Sequence, residues 1–422
     1  MKHVLLSNTG SDRATAYAMS NKIAALPDGY LCTWLDNQRR NRWGLVDREN
    51  GRIAGTGPLG DPCVDNHCGA ALAVTSKAVH AIIGGHHSAF HHYRMNLSAV
   101  GEWQYIATID VPGTYPSVTS DSDGRLHLAF RSSADEHWTL DYCGFENGCW
   151  SEPQSLVVAE KSGYIYWTNG LTVGPDDSLH LVLGNTRVMT NGDLYYGASH
   201  IVSSDAGRTW GSIEQSAISL PASVRVLPLI REDDFSERLQ SAADQREHEA
   251  PGPCNYNYQQ MLLSNPVVDR RGVVHVILHN NLTGTADLMS IIDDAWRAKP
   301  LTAVAAGDKS GVRIHPQSSL SLGPDGQLLA ALMVGQTEAC VWGPPGTYIV
   351  RVTVDERGGE MTADQLVPRA DDRAQWLPAF EQPGGTLVGH IPPLLYTRGV
   401  NAGGFGNNSN EIRTEVTVIL WE

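Results

Sequence analysis

The sequence predicts an all-β chain of four-stranded antiparallel blades, and three observations carry that expectation. First, the chain says apolar–turn–apolar seven times, in NKIAALPDGYLCTW, ALAVTSKAVHAII, SVTSDSDGRLHLAF, LTVGPDDSLHLVL, PVVDRRGVVHVIL, SLSLGPDGQLLAAL and PAFEQPGGTLVGHI. Second, the equivalent positions of the second strand are Cys32, His80, His127, His180, His275, Leu329 and Val388, with gaps of 48, 47, 53, 95, 54 and 59. A spacing near fifty made of short alternating strands is that of a β-propeller blade. Third, the PDG, SDG and DRRG turns supply the positive-φ positions that tight antiparallel connections need. Seven copies at this spacing predict a seven-bladed β-propeller rather than a sandwich.

The gap of 95 comes after the fourth unit, whose outer strands finish at LYYGASHIVSSDAGRTW. The segment Gly211–Gln259 contains REDDFSERLQSAADQREHE, charged and helix-leaning, with no alternating strand pair. It reads as an insertion between blades four and five, either walling a binding site or lying on the surface as a solvated excursion. The final NEIRTEVTVILWE alternates like a strand. It is expected to pair with the first or last blade, closing the ring and covering exposed sheet edges. SSDAGRTW has the S-x-D-x-G-x-T-W pattern of an Asp-box, in which Ser203 and Asp205 cap a turn and Trp210 packs between sheets. No Pro/Ser-rich linker divides the 422 residues, so one domain is expected.

Composition bounds the partners. A net charge of −15 opposes nucleic acid and anionic membranes. No run of eighteen apolar residues exists to span a bilayer. The start, MKHVLLSNTGSDRATAYAM, has one Lys and too short an apolar run for a secretion signal. A cytoplasmic location is expected on that ground, or a secreted or periplasmic one if a leader has been removed. Seven cysteines at irregular spacings describe no disulfide framework, which leans toward a reducing compartment.

Two of the hairpins carry chemistry. His67 and His86 lie at near-equal distances from a turn at Thr75–Ala78, and Tyr115 and Arg131 at near-equal distances from a turn at Ser120–Gly124. Residues equidistant from an antiparallel turn face each other. If the hairpins are neighbours, two histidines, a tyrosine and an arginine converge on one rim, which is acid–base chemistry beside an anion clamp. Gly84–Gly85 precede His86 and His87, allowing the backbone to bend or a ligand to approach closely. His80, His127, His180 and His275 recur at one position of the repeat, and so read as packing or hydrogen bonding between strands.

Downstream of Arg131, EHWTLDYCGFENGCW places His137, Cys143 and Cys149 in one hairpin. They could hold zinc with a fourth ligand such as His91 or His92, although the spacing fits no standard finger. A Cys143–Cys149 disulfide or two free thiols are the alternatives. Rim positions of other blades, namely Asn21, Asn169, Arg187, His279 and Asn280, with His87, are expected to line a cleft for substrate.

DNHCGAALAV…VHAIIGGHH, TYPS…GRLHLAFR and the Asp-box resemble the BNR-type propeller polysaccharide lyases, which include ulvan lyases and rhamnose–glucuronate lyases. The resemblance is specific over about Ala14–Trp210 and extends to later blades only as repeats. It implies two histidines about twenty apart and a tyrosine and arginine sixteen apart. Tyr115 and Arg131 reproduce the second spacing, whereas His67 and His86 are nineteen apart and His87 would give twenty. It also implies a structural zinc held by His and Cys downstream of the arginine, and β-elimination at a uronic acid in a polysaccharide, with no cofactor required for the chemistry. Arg131 would grip the uronate carboxylate, His86 would take the C5 proton, Tyr115 would protonate the departing O4, and His67 would complete neutralisation or share the acid–base work. Which of His86 and Tyr115 is base depends on sugar stereochemistry. A sialidase-type glycosidase would need an arginine triad, for which Arg187 offers only a second member. A non-catalytic carbohydrate-binding propeller, or an enzyme using the opposite face as related rhamnosidase propellers do, is the remaining alternative.

Overall fold

Alternating apolar residues on short segments bounded by Gly, Asp and Asn turns give an all-β molecule of several antiparallel sheets. The computed structural model describes residues 1–163, 169–188, 194–214, 216–231, 261–280, 283–307, 309–335, 346–355, 359–366, 373–384, 389–400 and 412–421. No helix among them is long and apolar enough to cross a membrane.

The strands group in sequence order. Ile23–Leu26, Gly29–Leu35, Asn41–Asp47 and Ile53–Leu59 form the first four-stranded sheet. Next comes a larger sheet in which one long strand, Trp103–Ser120, serves two groups. Its first part pairs with His86–Asn96 and its last part with Leu126–Ser132. Asn169–Val173, Leu179–Val188 and Leu194–Ser203 form a three-stranded sheet, and two further sheets are centred on Val274–Asn280 and Leu328–Gly335. Apolar clusters lie between successive sheets: Leu140, Leu156 and Tyr142 meet Leu171, Leu181 and Trp210, and Ile277 and Leu288 meet Leu320 and Leu332.

The ends of the chain share one sheet. Thr414–Leu420 pairs on one side with Leu394–Gly399 and on the other with Lys2–Gly10, so the first strand is the outer neighbour of the last. Val416 and Val418 then pack against Ile23, Cys32 and Val46 of the first sheet. The seventh repeat is placed differently from the sequence alignment. Val388 lies outside the described residues, and the partner of Ala374–Phe380 is Leu394–Gly399.

The Asp-box forms as expected. Asp205 accepts from the Thr209 N–H at 2.9 Å and hydroxyl at 2.7 Å, the Gly207 N–H donates to Ser203 Oγ at 2.9 Å, and Trp210 is buried against Tyr142. The repeated histidines are also structural. Nδ1 of His80, His127, His180 and His275 meets His92, Tyr142, His200 and Ser290 on the next strand, at 2.9, 2.7, 3.1 and 2.7 Å. In the expected insertion, the described part includes the two-residue strand Ala222–Ser223, paired in parallel with Val157–Val158, a 3-10 turn at Val224–Val226, and single bridges from Gly211 to Val202 and from Leu229 to Ser199. Its charged, helix-leaning stretch lies outside the described residues, apart from Arg231.

Candidate active site

The two hairpins are neighbours, joined by the long strand. Thr114 on Trp103–Ser120 pairs with His86 on one side and Arg131 on the other, so these three lie in one row across three strands. The row is not the simple ladder that equidistance predicts. Ala129 pairs with Ser117 but Arg131 pairs with Thr114, so a bulge falls at Tyr115–Pro116. Tyr115 takes φ 59° there, and its ring turns to lie 4.7 Å from the Arg131 guanidinium carbon. His67 sits in the loop before Ala71–Val74 rather than on a strand, and its ring stacks on His86 at 4.0 Å and lies 6.4 Å from Tyr115. All four expected catalytic residues therefore meet.

Glycine explains the local path. Gly84 and Gly85 have φ 89° and 79°, and a Cβ on Gly85 would sit 1.9 Å from the Phe90 ring. A Cβ on Gly113 of the adjacent strand would meet the same ring at 2.2 Å. The glycines thus bend the strand and admit the buried Phe90 side chain beneath the site.

Three residues that sequence reasoning missed complete the group. Asp65 binds both histidines: its carboxylate contacts His86 Nδ1, lies 3.1 Å from His67 Nδ1 and accepts the His67 N–H at 2.8 Å. Those bonds hold the Asp65 carboxyl well below its usual range, despite a burial penalty that opposes them. Arg13 and Tyr17 enter from Ser11–Lys22, a buried segment threaded among the inner strands. Its anchors include Thr15 Oγ1 to the Leu377 carbonyl at 2.7 Å and Ser117 Oγ to the Met19 carbonyl at 2.8 Å. Arg13 Nη1 contacts Tyr17 Oη at 3.1 Å and also His67 Nε2, and the Tyr17 ring meets Tyr115 edge-on at 4.8 Å. The only sequence signal was DNH, which sets Asp65 beside His67; nothing in the repeat points to Arg13 or Tyr17.

The electrostatics separate the two histidines. Burial first, and Arg13 second, hold the His67 imidazole neutral with a pKa of about 3. With Arg13 donating to Nε2, the His67 proton sits on Nδ1, facing Asp65. The positive charge beside His67 is that of Arg13. His86 is anchored on Asp65 through Nδ1, which leaves Nε2 as its proton-accepting atom. His87, exposed with φ 55°, bonds Ser133 Oγ through Nδ1 at 2.8 Å and lies edge-on to Trp138. Partial desolvation of the ring where it packs on its neighbours, and then the Arg131 cation, bring its pKa to about 4. Arg131 is a second correction: it is fully buried, between the Tyr115 and Trp138 rings at 4.7 Å each, and is not an exposed rim cation.

The other expected site residues are tied into hydrogen bonds within the protein. Asn21 and Asn169 are buried fasteners. Asn21 Oδ1 accepts from Ile23 and Gln382, while Asn169 Nδ2 donates to the Tyr115 carbonyl at 3.3 Å. Asn169 thus holds the bulge from beneath rather than lining a cleft. His279 is buried on Ser318 at 2.6 Å, Asn280 Oδ1 accepts from the Thr283 N–H, and Arg187 donates to the Leu227 carbonyl of the inserted segment.

His137, Cys143 and Cys149 do not gather. Cys143 is buried among Phe90, Leu128 and Phe130, Cys149 is exposed opposite Glu146, and exposed His137 bonds the Ala159 carbonyl. Both nitrogens of His92 are engaged, by His80 and Trp150, and His91 bonds Thr108. Among the described residues, Asp65, His67 and His86 are the group whose ligand-type atoms lie within 4.8 Å of one another. The Arg13 cation against His67 Nε2 opposes a metal ion there.

The chain belongs to the BNR repeat-containing family, whose model matches residues 33–302. Its fold is similar to that of a polysaccharide lyase described as a PL25 ulvan lyase, at 12% identity and a TM-score of 0.68, covering 98% of this chain and 95% of that one. The same enzyme is known bound to -[GlcA(1-4)Rha3S]-. The polysaccharide lyase Uly1 is similar at 13% identity and a TM-score of 0.58, covering 100% and 99%. No functionally curated protein matches in sequence.

Proposed function

We propose that the chain is a single seven-bladed β-propeller and a polysaccharide lyase, cleaving a glycosidic bond at a uronic acid by β-elimination. The observation that carries this reading is the meeting of His86, His67, Tyr115 and Arg131 across neighbouring hairpins, with Asp65 and Arg13 behind them. Elimination removes the C5 proton beside a carboxylate whose charge opposes carbanion formation. The developing enolate-like charge needs cations and donors held in a site with little water. Arg131 and Arg13 supply fixed positive charge beneath the histidine surface. His86 Nε2 takes the proton, and Asp65 steadies the imidazolium that results. Tyr115 protonates the departing O4, and neutral His67 orients the carboxylate. The products are a shortened chain and an unsaturated uronate.

The experiment is incubation with glucuronate- and iduronate-containing oligosaccharides while monitoring ultraviolet absorption of the C4–C5 double bond. The expected outcome is growth of that absorption together with cleavage. Cleavage without it would make the enzyme a hydrolase and overturn the elimination.

A further inference from the structure

The loop that brings Asp65 and His67 into the site is bracketed by cysteines, in Cys63-Val64-Asp65-Asn66-His67-Cys68. Cys63 Sγ lies 3.9 Å from the Cys68 carbonyl, toward which it donates. Asn41 ties the ends of the loop together: its Nδ2 lies 3.4 Å from Cys63 Sγ and 2.9 Å from the Cys68 carbonyl, while its Oδ1 accepts from the Ala70 N–H at 2.8 Å. Cys68 Sγ donates to Asp65 Oδ1 at 3.7 Å, so this thiol touches the carboxylate that holds the histidines.

The two sulfurs live in different surroundings. Cys68 is fully buried. Cys63 is partly exposed and lines a cavity of about 570 Å³ with Asp61, Ser88, His91, Tyr93 and Tyr105, through which a small molecule can reach it. The neighbouring Cys68 thiol first, then Asn41 and the Gly84 backbone, lower the Cys63 thiol from its ordinary range. The neighbouring Cys63 thiol first, with burial, pushes the Cys68 thiol up. An accessible sulfur inclined to ionise, backed by a buried protonated one, is the arrangement of an attacking and a resolving cysteine.

We propose that Cys63 and Cys68 are a dithiol site for hydrogen peroxide, and that its disulfide reshapes the loop presenting Asp65 and His67. The Cys63 thiolate attacks the peroxide O–O bond, which breaks; the sulfur becomes a sulfenic acid and the second oxygen leaves as hydroxide, taking up a proton to form water. The Cys68 sulfur then attacks the sulfenyl sulfur. An S–S bond forms, the S–O bond breaks, and the departing oxygen takes the Cys68 proton and leaves as a second water. Two thiols are oxidised and one peroxide is reduced. Closing to a disulfide bond of roughly 2.05 Å draws Cys68 off Asp65 and removes its S–H donor.

The effect on turnover rests on the lyase reading; the chemistry of the thiols does not. The full chain is treated with equimolar hydrogen peroxide, blocked with an alkylating reagent without reduction, and digested with trypsin. Residues 53–77 form one tryptic peptide in which Cys63 and Cys68 are the cysteines. The expected result is a peptide lighter by two hydrogens and unalkylated, restored by dithiothreitol. In Cys68→Ser the same dose should leave an added oxygen on Cys63, whereas in Cys63→Ser the remaining Cys68 should stay reduced and alkylatable. A peptide that keeps both thiols while exposed Cys149 is oxidised overturns the site. Elimination by the wild-type chain should fall by on the order of ten- to a hundredfold on oxidation and return on reduction, because small displacements of a positioned group carry costs of that order. Cys63→Ser should be immune. Complete disulfide with unchanged turnover overturns the reshaping.

Discussion

One Asp65 carboxylate meets both His86 and His67, and single substitutions test the role proposed for each. His86→Ala removes the proposed base and should lower kcat by on the order of 10²–10⁴-fold. Asp65→Asn keeps the shape but loses the charge that steadies a protonated His86, so it should lower kcat less than His86→Ala does and shift the pH–rate profile. An unchanged profile in Asp65→Asn would separate Asp65 from the chemistry. Arg131 presents a different case. Buried between Tyr115 and Trp138, it cannot be removed without cost. Arg131→Ala should abolish turnover and also lower stability by roughly 3 kcal/mol, since it leaves a cavity where two rings packed. Arg131→Lys should recover more stability than activity, because a point charge cannot reproduce the guanidinium plane. Thermal melting beside turnover distinguishes the two effects; full activity in a folded Arg131→Ala would end the proposed mechanism. The four catalytic candidates were legible because each pair belongs to one hairpin, where spacing implies proximity. Arg13 and Tyr17 were not, because they reach the site from a segment without periodicity, and Arg13 lies 54 residues from the histidine it touches.

The elements explain why polar residues at strand ends misled. An inner strand that begins near the middle of the molecule has backbone groups beyond the reach of bulk water, and these require partners. Asn169 donates to the Tyr115 and Ala129 carbonyls, and Asn265 bonds both the N–H and the carbonyl of Leu320. A polar residue at such a position looks the same in sequence whether it meets sugar or a neighbouring strand. The bulge at Tyr115–Pro116 was equally invisible, since it arises between two strands rather than within one. The bend before His86 can be tested directly. Gly85→Ala forces a side chain at φ 79° into the Phe90 ring, so it should destabilise the protein by about 2 kcal/mol or more and displace both His86 and His87. Adding Phe90→Leu should recover part of the loss, because the two changes share one contact. Strictly additive losses would show that Phe90 is not what the glycine accommodates.

At the scale of the whole molecule, the repeat that builds the sheets also buries imidazoles, and this sets how the protein responds to acid. Burial holds His67, His92 and His279 at pKa values of about 3, and His80, His180 and His315 at about 4. In the unfolded chain these histidines titrate near 6.5. The folded values are depressed, so as pH falls below about 6.5 the unfolded state takes up protons that the folded state refuses. Stability present above that value is lost progressively until the folded groups themselves protonate near pH 3–4. Asp65 and Asp269, both held low by their hydrogen bonds to histidine, extend the loss below the ordinary carboxylate range. Each fully buried histidine contributes a slope of up to roughly 1.4 kcal/mol per pH unit within its window. Melting temperature should therefore fall steeply between pH 6.5 and 4, with more than one proton taken up per molecule unfolded. His279→Gln, which can keep a bond to Ser318 without titrating, should make the fall shallower. A melting temperature constant from pH 7 to pH 5 would mean that these six buried histidines are not held neutral.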